Sequence, residues 1–263
     1  MPIHRRVYDR SYYLSHLCEG WGEFQNGRGL SPIKQRLVDL VEPAPGVDVL
    51  DAGCGRGEVL LACAERGARV VGVDYSPIAV EISAETLAGH RDAEVRLGDL
   101  TSIPTPDARF DAIVTGDVIE HLDPNQVVPA LAELRRVLRP GGRIVIHTAP
   151  NRRFLRFGWP LARIGLSLAG RRESVRRAAE WIEHARSYHA AEQSPFSLRR
   201  AMRKAGFEDV RSWVDRDVIR SERHHLTRGV IGGSRWLRAA AAIAGRPPLH
   251  MIFGNDIYAV GRR

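Results

Sequence analysis

A glycine-rich turn between a predicted strand and a predicted helix is the segment of this 263-residue chain best suited to chemistry. Residues 49–57 read Val-Leu-Asp-Ala-Gly-Cys-Gly-Arg-Gly, and residues 58–66 then show helical spacing. Glycines at such a turn let a ligand approach the backbone closely, because they have no Cβ. Asp74 ends the next apolar run, where a carboxylate can accept hydrogen bonds from both hydroxyls of a ribose. The pattern predicts a site for a nucleoside cofactor.

Three classes of nucleotide site compete for this turn. A dinucleotide fingerprint requires a third glycine where Glu58 stands, and Asp51 and Glu58 would repel a pyrophosphate at the helix N-terminus. A P-loop is excluded because the chain contains neither Gly-Lys-Ser nor Gly-Lys-Thr. A cationic cofactor without phosphate, such as S-adenosylmethionine, suits an acidic turn better.

The chain resembles the class I S-adenosylmethionine-dependent methyltransferases at four landmarks. They are, in chain order, Asp51-x-Gly53-x-Gly55-x-Gly57, then Gly98-Asp99-Leu100 at a strand end, residues 110–114 as a fourth strand, and Pro140-Gly141-Gly142 as the turn into a fifth. The resemblance covers residues 47–150 well, residues 190–214 loosely and the other segments hardly at all. An α/β domain whose glycines only shape a turn is the alternative.

The resemblance implies a set of contacts to S-adenosylmethionine and to the product, S-adenosylhomocysteine. Asp74 would bind the ribose, Tyr75 and Leu100 would pack on the two faces of the adenine, and Asp99 would accept from its amino group. Cys54 is expected to be a small packing residue, not a nucleophile. The predicted cofactor-binding residues are Asp51, Gly53, Cys54, Gly55, Gly57, Asp74, Tyr75, Asp99, Leu100, Gly116 and Asp117.

Apolar runs and helical patterns alternate along the chain, which predicts a doubly wound α/β fold whose parallel sheet is covered on both faces. Strands are predicted over residues 47–52, 69–73, 93–97, 110–115, 142–149, 207–214 and 255–260, and helices over residues 33–41, 57–66, 77–88, 124–138 and 195–204. The resemblance implies a Rossmann-like, seven-stranded, mostly parallel sheet with an antiparallel last strand.

Four segments are predicted. Residues 1–45 would form a helical, aromatic lid, and residues 46–150 the cofactor-binding core. Residues 151–193 would form a basic insertion that covers the acceptor. Residues 194–263 would complete the core and carry a second insertion at about 215–250.

The lid is predicted from its aromatic residues. Tyr12, Tyr13 and His16 are candidates to close over the cofactor. A packed amphipathic helix is the alternative for this segment.

Positive charge is concentrated in the two insertions, although the net charge of the whole chain is only +8. Residues 151–190 hold nine arginines and three glutamates, and residues 215–250 hold seven arginines and three acidic residues. The excess charge therefore concerns the acceptor or a surface partner. In class I enzymes the acceptor pocket is built by the segment before the first strand and by insertions after the fifth and sixth strands, so the resemblance implies that both insertions form a lid over the acceptor. Interfacial helices on an anionic membrane or a lipid-linked acceptor stay open, as does ordinary core packing.

Candidate catalytic groups follow the predicted fourth strand. Methyl transfer from a sulfonium is a direct displacement, so alignment supplies most of the catalysis, and deprotonation of the acceptor is the remaining task. Residues 115–122 read Thr-Gly-Asp-Val-Ile-Glu-His-Leu, which resembles the Glu-x-x-Glu-His-Val stretch of ubiquinone-type O-methyltransferases. Asp117 would lie near the methionine end of the cofactor or the acceptor. His121 is the candidate general base, since imidazole titrates near neutral pH, or else it only caps the next turn.

Two further histidines complete the predicted catalytic set. His147 lies near the end of the fifth strand and faces either the core or the pocket, and His189 lies in a segment that borders the acceptor pocket in related enzymes. A divalent metal held by Asp117, Glu120 and His121 is an alternative, but its other oxygen ligands are not identifiable, so no metal is predicted.

Three functions fit these observations. The expected one is O-methylation of a phenolic, sugar or lipid-linked hydroxyl in a biosynthetic pathway. An isoelectric point near 10.0 suggests a second function, methylation of RNA. The sequence shows no RNA-binding domain and no Asn-Pro-Pro-Tyr or Asp-Pro-Pro-Tyr signature, so no specific nucleic acid partner is predicted. A cofactor-binding protein without catalysis is the third.

We expect a cytoplasmic protein. The chain has no apolar run of about 18 residues or more, no apolar secretory stretch at its N-terminus, and three cysteines without disulfide or zinc spacing. The sequence leaves open a peripheral contact with the inner face of the membrane, and a homodimer.

Overall fold

The computed structural model describes residues 8–15, 18–25, 27, 29–216 and 234–263. Its strands are Asp48–Ala52 (β1), Arg69–Asp74 (β2), Ala93–Leu97 (β3), Phe110–Gly116 (β4), Leu138–Thr148 (β5), Glu208–Val214 (β6) and Ile257–Arg262 (β7). Its α-helices are Arg10–Tyr13 (α1), Trp21–Phe24 (α2), Pro32–Val41 (α3), Glu58–Ala64 (α4), Pro77–Thr86 (α5), Val127–Val137 (α6), Trp159–Leu168 (α7), Arg172–Tyr188 (α8), Pro195–Lys204 (α9), Arg235–Ala244 (α10) and His250–Phe253 (α11).

The strands form one seven-stranded sheet in the order β3-β2-β1-β4-β5-β7-β6. Strands β1 to β5 pair in parallel, whereas β7 runs antiparallel to both β5 and β6. The predicted Rossmann-like sheet with an antiparallel last strand is therefore confirmed. The strand order reverses between β1 and β4, and in open α/β sheets ligands bind at the carboxyl ends of the strands at such a point.

Alternate residues of the central strands enter two different hydrophobic clusters, because successive side chains of a strand point to opposite faces. Leu50 and Ile113 pack with α6 and α9 on one face, and Val49 and Val114 pack with α3 and α4 on the other. Each fully buried aliphatic side chain contributes about 2 kcal/mol to the free energy of unfolding. The two clusters fix the strand ends that carry the site.

The predicted core elements match the observed ones to within a few residues, with one local difference. We predicted a helix over residues 124–138, but α6 begins at Val127 and Leu138 already belongs to β5. Leu138 pairs with Phe110, and the register then shifts so that Arg143 pairs with Ala112. Residues 140–142 are therefore an irregularity within β5, not a turn before it.

Both basic insertions are helical where they are described. Residues 151–193 contain a short π-helical turn, α7 and α8, and the second insertion contributes α10 and α11. Residues 217–233 of the second insertion lie outside the described part. No helix among the described residues is long and apolar enough to cross a membrane. Ser194 caps α9 as predicted, since its Oγ accepts a hydrogen bond from the Ser197 amide at 3.2 Å.

Candidate active site

A cavity of about 740 Å³ lies at the carboxyl ends of β1, β2 and β4. It brings together all four predicted catalytic residues, Asp117, His121, His147 and His189. It is also lined by nine of the predicted cofactor-binding residues: Asp51, Gly53, Cys54, Gly55, Asp74, Tyr75, Leu100, Gly116 and Asp117. The other two, Gly57 and Asp99, lie outside the lining.

The three glycines of the turn have different structural roles, although all have positive φ: 87° at Gly53, 54° at Gly55 and 82° at Gly57. A Cβ on Gly53 would lie 2.3 Å from Val118 Cγ2, and one on Gly57 would lie 2.5 Å from Ser83 Oγ. These two glycines are required for packing. The nearest atom to a Cβ on Gly55 would be 3.9 Å away, so Gly55 is the one that keeps the backbone open to the cavity.

The carboxylate of Asp74 is tied to the glycine-rich turn. Its Oδ2 accepts a hydrogen bond from the Gly55 amide at 3.0 Å, and its Oδ1 accepts one from the Ser76 amide at 2.9 Å. Burial raises the pKa of Asp74, and the hydrogen bonds from these amides oppose the rise. The structure places the carboxylate beside the turn, and its role as a ribose ligand stays a prediction.

A second carboxylate, Asp51, is buried on β1 at the same end of the cavity. Burial raises its pKa to about 7, and the nearby carboxylates of Asp74 and Glu58 add to the rise, while Lys34 lowers it. Burial also raises the pKa of the Cys54 thiol, which fits a packing residue better than a nucleophile. A cation at this end of the cavity would be stabilised by Asp51 in its ionised form.

The predicted adenine contacts are divided between the cavity and the surface. Tyr75 and Leu100 line the cavity. Asp99 is exposed, and its Oδ1 accepts hydrogen bonds from the Thr101 amide at 2.8 Å and from Thr101 Oγ1 at 2.6 Å. Both of these bonds use Oδ1, and the role of Asp99 as a contact to the adenine amino group stays a prediction.

His147 lies between two carboxylates. Its Nδ1 is 2.9 Å from Asp117 Oδ1, and its Nε2 is 3.3 Å from Asp256 Oδ1. Burial lowers the pKa of His147, but the two carboxylates more than reverse this and raise it well above its ordinary value. An imidazolium cannot accept a proton, so this arrangement favours a positioning role for His147 over that of general base. Sequence analysis missed Asp256, which is 109 residues away along the chain.

His121 lies on a 3-10 turn and contacts two other rings. Its Nδ1 is 3.1 Å from Tyr8 Oη, and its ring centroid is 4.8 Å from that of His189. Burial lowers the pKa of His189 to about 3, with a further contribution from His121, so His189 is neutral. Tyr8 was missed by sequence analysis, and the aromatic concentration of the N-terminal segment was the only signal for it.

Glu120, His121 and His189 offer potential metal ligand atoms within 4.8 Å of one another. Glu120 is buried, and its Oε2 accepts a hydrogen bond from Thr148 Oγ1 at 2.7 Å. Burial raises the pKa of Glu120, and the nearby Asp117 adds to the rise. Two imidazole nitrogens and one carboxylate differ from the oxygen ligands that Mg²⁺ prefers, but they match the donor types of catalytic zinc sites. The absence of a metal therefore stays a prediction.

The end of the cavity away from the glycine-rich turn, the apolar end, is covered by helices α7, α8 and α10, which we call the roof helices. Their side chains that line the cavity are apolar. They include Trp159, Ala162, Leu166, Ala178, Ile182, Leu237, Ala241 and Ala244. The sequence placed an acceptor lid in these segments without identifying the individual residues.

The end of the cavity next to the glycine-rich turn, the polar end, is covered by the N-terminal segment. Tyr8, Tyr12 and Tyr13 line the cavity there, and His16 lies outside the described residues.

A sheet of this order, with a glycine-rich turn and carboxylates at its strand ends, defines a Rossmann-like domain that binds a nucleoside cofactor. Comparison with known proteins specifies the class further. Residues 49–142 match the sequence profile of a family described as a methyltransferase domain. The chain is 30% identical over 213 residues to demethylmenaquinone methyltransferase of Clavibacter sepedonicus, covering 79% of this chain and 80% of that protein.

A second curated relative agrees with this class, and a solved structure agrees with the fold. Over 192 residues the chain is 38% identical to nocamycin O-methyltransferase of Saccharothrix syringae, covering 68% of this chain and 66% of that protein. The structure of phosphoethanolamine N-methyltransferase 2 of Haemonchus contortus in complex with S-adenosyl-L-methionine is 18% identical and superimposes with a TM-score of 0.67, covering 98% of this chain and 59% of that one. Several curated relatives are matched over less than two thirds of their length, with coverages of 66%, 33% and 44%.

The chain therefore belongs to the class I S-adenosylmethionine-dependent methyltransferases, and S-adenosylmethionine is its cofactor.

Proposed function

We propose that the protein transfers the methyl group of S-adenosylmethionine to a hydroxyl oxygen of a small, largely apolar acceptor in a biosynthetic pathway. The observation that supports this most is the composition of the cavity. Carboxylates and glycines line the end suited to the cofactor, apolar helices line the other end, and His121 lines the same cavity. An apolar pocket with a few polar groups is typical of small-molecule sites.

The polar end would bind the cofactor through Asp51, Asp74 and the Gly55 backbone, with Tyr75 and Leu100 beside the adenine. The cofactor supplies an activated methyl group on a sulfonium. The apolar end would hold the acceptor and exclude water, so that its hydroxyl is aligned for direct displacement.

His121 would accept the proton of the acceptor hydroxyl through Nε2. A neutral imidazole can do so only in the tautomer whose Nδ1 carries the hydrogen. In that tautomer Nδ1 donates to Tyr8 Oη, 3.1 Å away. Burial raises the pKa of Tyr8, so the phenol stays protonated and neutral. Tyr8 would therefore set both the tautomer and the orientation of the base.

The test is transfer of tritium from S-adenosylmethionine labelled in its methyl group. Purified protein is incubated with cell extract, and label is counted separately in solvent-extractable metabolites and in total RNA. We expect label among the metabolites. Label in RNA alone would support an RNA methyltransferase, and no label in either fraction would support a cofactor-binding protein without catalysis.

His121→Ala then tests the base, with His90→Ala as the matched control because His90 lies outside the cavity lining. Loss of a general base lowers turnover by about 100-fold or more. Binding of S-adenosylhomocysteine, measured by calorimetry, should stay unchanged in both variants. Unchanged turnover in His121→Ala would exclude His121 as the base. Tyr8→Phe should also lower turnover, but by less than His121→Ala does.

We further infer that the roof helices rest on an anionic membrane surface when they receive the acceptor. Leu161, Ile164 and Leu168 form an exposed stripe on α7, and Leu168 is 85% exposed. On α10, Trp236 is 87% exposed, and Ile243 follows seven residues later on the same side. Arginines accompany these apolar residues in both insertions. Exposed apolar side chains next to arginines are typical of helices that bind anionic lipid.

Co-sedimentation with phosphatidylglycerol vesicles at low salt tests this contact. We expect the natural chain to sediment, and a variant carrying Leu168→Ser and Trp236→Ser to stay in the supernatant. Leu97→Ser is the control, because Leu97 is an exposed apolar residue on β3, outside the helices of the insertions. Absence of binding by the natural chain, or equal loss in the control, would contradict the membrane contact.

A further inference from the structure

A fully buried arginine in the cofactor turn has no role in the proposed transfer. Arg56 lies between Gly55 and Gly57, and its side chain has no exposed surface. Buried arginines are rare unless their donors are paired.

The guanidinium of Arg56 joins the turn to the N-terminal segment. Its Nη1 donates to the Tyr13 carbonyl at 2.7 Å, and its Nη2 donates to the Glu19 carbonyl at 2.5 Å. Its Nε donates to Glu58 Oε1 at 2.8 Å. The guanidinium also lies 5.8 Å from the ring centroid of Trp21 and 5.6 Å from that of Phe24. Four residues of the N-terminal segment therefore contact this one guanidinium.

The carboxylate that holds Arg56 is itself held by a second cation. Glu58 Oε2 accepts a hydrogen bond from Lys34 Nζ at 2.6 Å, and Lys34 Nζ also donates to the Glu19 carbonyl at 3.2 Å. Burial raises the pKa of Glu58, but Lys34 and Arg56 more than offset this and lower it below its usual range. The network is therefore ionised, and both cations bind the carbonyl of Glu19.

The segment held by this network covers the polar end of the cavity. A Cβ on Gly55 would lie 3.9 Å from Tyr13 Cε1, and the ring centroid of Tyr8 is 5.6 Å from that of Tyr75. A cofactor bound beside Gly55 and Tyr75 would therefore lie next to these tyrosines, and the segment that carries them would have to move for the cofactor to exchange.

We propose that Arg56 is a positioning residue that holds residues 8–15 and 18–25 closed over the bound cofactor, and that cofactor exchange requires its hydrogen bonds to Tyr13 and Glu19 to break. Because coupling between two equilibria is reciprocal, the bound cofactor should in turn stabilise the closed segment.

The dissociation rate of S-adenosylhomocysteine, followed by stopped-flow fluorescence without acceptor, tests this directly. Arg56→Met should raise the rate by about tenfold or more, since it removes charged hydrogen bonds. Arg56→Lys keeps the charge but replaces the planar guanidinium, with its several donor nitrogens, by a single ammonium. Its dissociation rate should therefore lie between those of Arg56→Met and the natural chain. The matched control is Arg66→Met, because Arg66 is exposed just after α4 and should change the rate by less than about twofold.

Limited trypsin digestion supplies the reciprocal measurement. S-adenosylhomocysteine should protect the peptide bond after Arg10 in the natural chain and in Arg66→Met, but much less in Arg56→Met. The result that overturns the proposal is an unchanged dissociation rate in Arg56→Met, or a change confined to the association rate.

If Arg56→Met does not fold, Gly20→Ala replaces it. Gly20 has a φ of 80°, and its Cβ would lie 3.3 Å from Lys34 Nζ, so the substitution should displace the Glu19 carbonyl. It should accelerate dissociation as Arg56→Met would, and an unchanged rate would again overturn the proposal. Because no acceptor is present, the outcome is independent of the proposed O-methyl transfer.

Discussion

The two ends of the cavity are built in different ways. At the cofactor end, the sheet contributes backbone and short side chains near its strand ends, such as Gly53, Gly55 and Asp74, which the core clusters hold in place. The acceptor end consists of longer apolar side chains on α7, α8 and α10, which lie in the two insertions. In the proposed binding mode, the cofactor is bound by residues at the strand ends, and the identity of the acceptor depends on the helices of the two insertions.

The two ends of the cavity also differ in charge. Asp51 and Asp74 are buried at the cofactor end, where a sulfonium and an ammonium would compensate them. At the acceptor end the cavity face is apolar, and no arginine from the described parts of the insertions lines it. Substitutions at one end should therefore change cofactor binding, and substitutions at the other should change acceptor binding.

The largest effect is expected from Asp74→Ala. Asp74 accepts a hydrogen bond from the Gly55 amide, and we propose that it also accepts hydrogen bonds from the ribose. Loss of its carboxylate should weaken S-adenosylmethionine binding by about 100-fold or more. Calorimetry measures the dissociation constant. Asp92→Ala is the control, because Asp92 is exposed and lies outside the cavity lining. Equal losses in the two variants would contradict a specific role of Asp74.

The next effect is a pH dependence that is specific to the cofactor end. Burial raises the pKa of Asp51 to about 7, and a cationic ligand binds the ionised carboxylate in preference. The affinity for S-adenosylmethionine should therefore be full above this pKa and fall as the pH decreases through it, by about tenfold from pH 8 to pH 6.

Two controls isolate Asp51 as the cause. Asp51→Asn should flatten the profile, and 5′-methylthioadenosine, which lacks both cationic groups, should show little dependence in the natural chain. An unchanged profile in Asp51→Asn would assign the titration to another group.

A smaller effect is expected at the acceptor end. Ala241→Phe fills part of the apolar lining, so it should raise the KM of any accepted hydroxyl compound by about tenfold while leaving cofactor affinity unchanged. Ala242→Phe is the matched control, since the neighbouring residue on α10 is exposed. A change in cofactor affinity in Ala241→Phe would show that the two ends are not separable.

The smallest effect compares the stabilities of the two regions. Ser194 caps α9 in the core, and Ser234 caps α10 in the roof. Replacing a serine cap by alanine costs about 1 kcal/mol. Ser194→Ala should therefore lower the free energy of global unfolding measured with urea by that amount. Ser234→Ala should lower it less, because the roof can open locally before the core unfolds.

The cofactor end could be predicted from the sequence in more detail than the acceptor end. The glycine-rich turn and Asp74 are readable because a short contiguous segment and one strand end define them. The His121 contact with Tyr8 joins positions 113 residues apart, and the individual roof residues depend on how separate helices pack. The irregular start of β5 was missed because pairing with Phe110, not local propensity, makes Leu138 part of the strand.

A crystal structure with S-adenosylhomocysteine tests the central claim most directly. The account predicts that the ribose hydroxyls lie within hydrogen-bond distance of Asp74, with the adenine between Tyr75 and Leu100 and the sulfur directed toward the apolar end. Ligand bound elsewhere, or bound with its ribose away from Asp74, would contradict it.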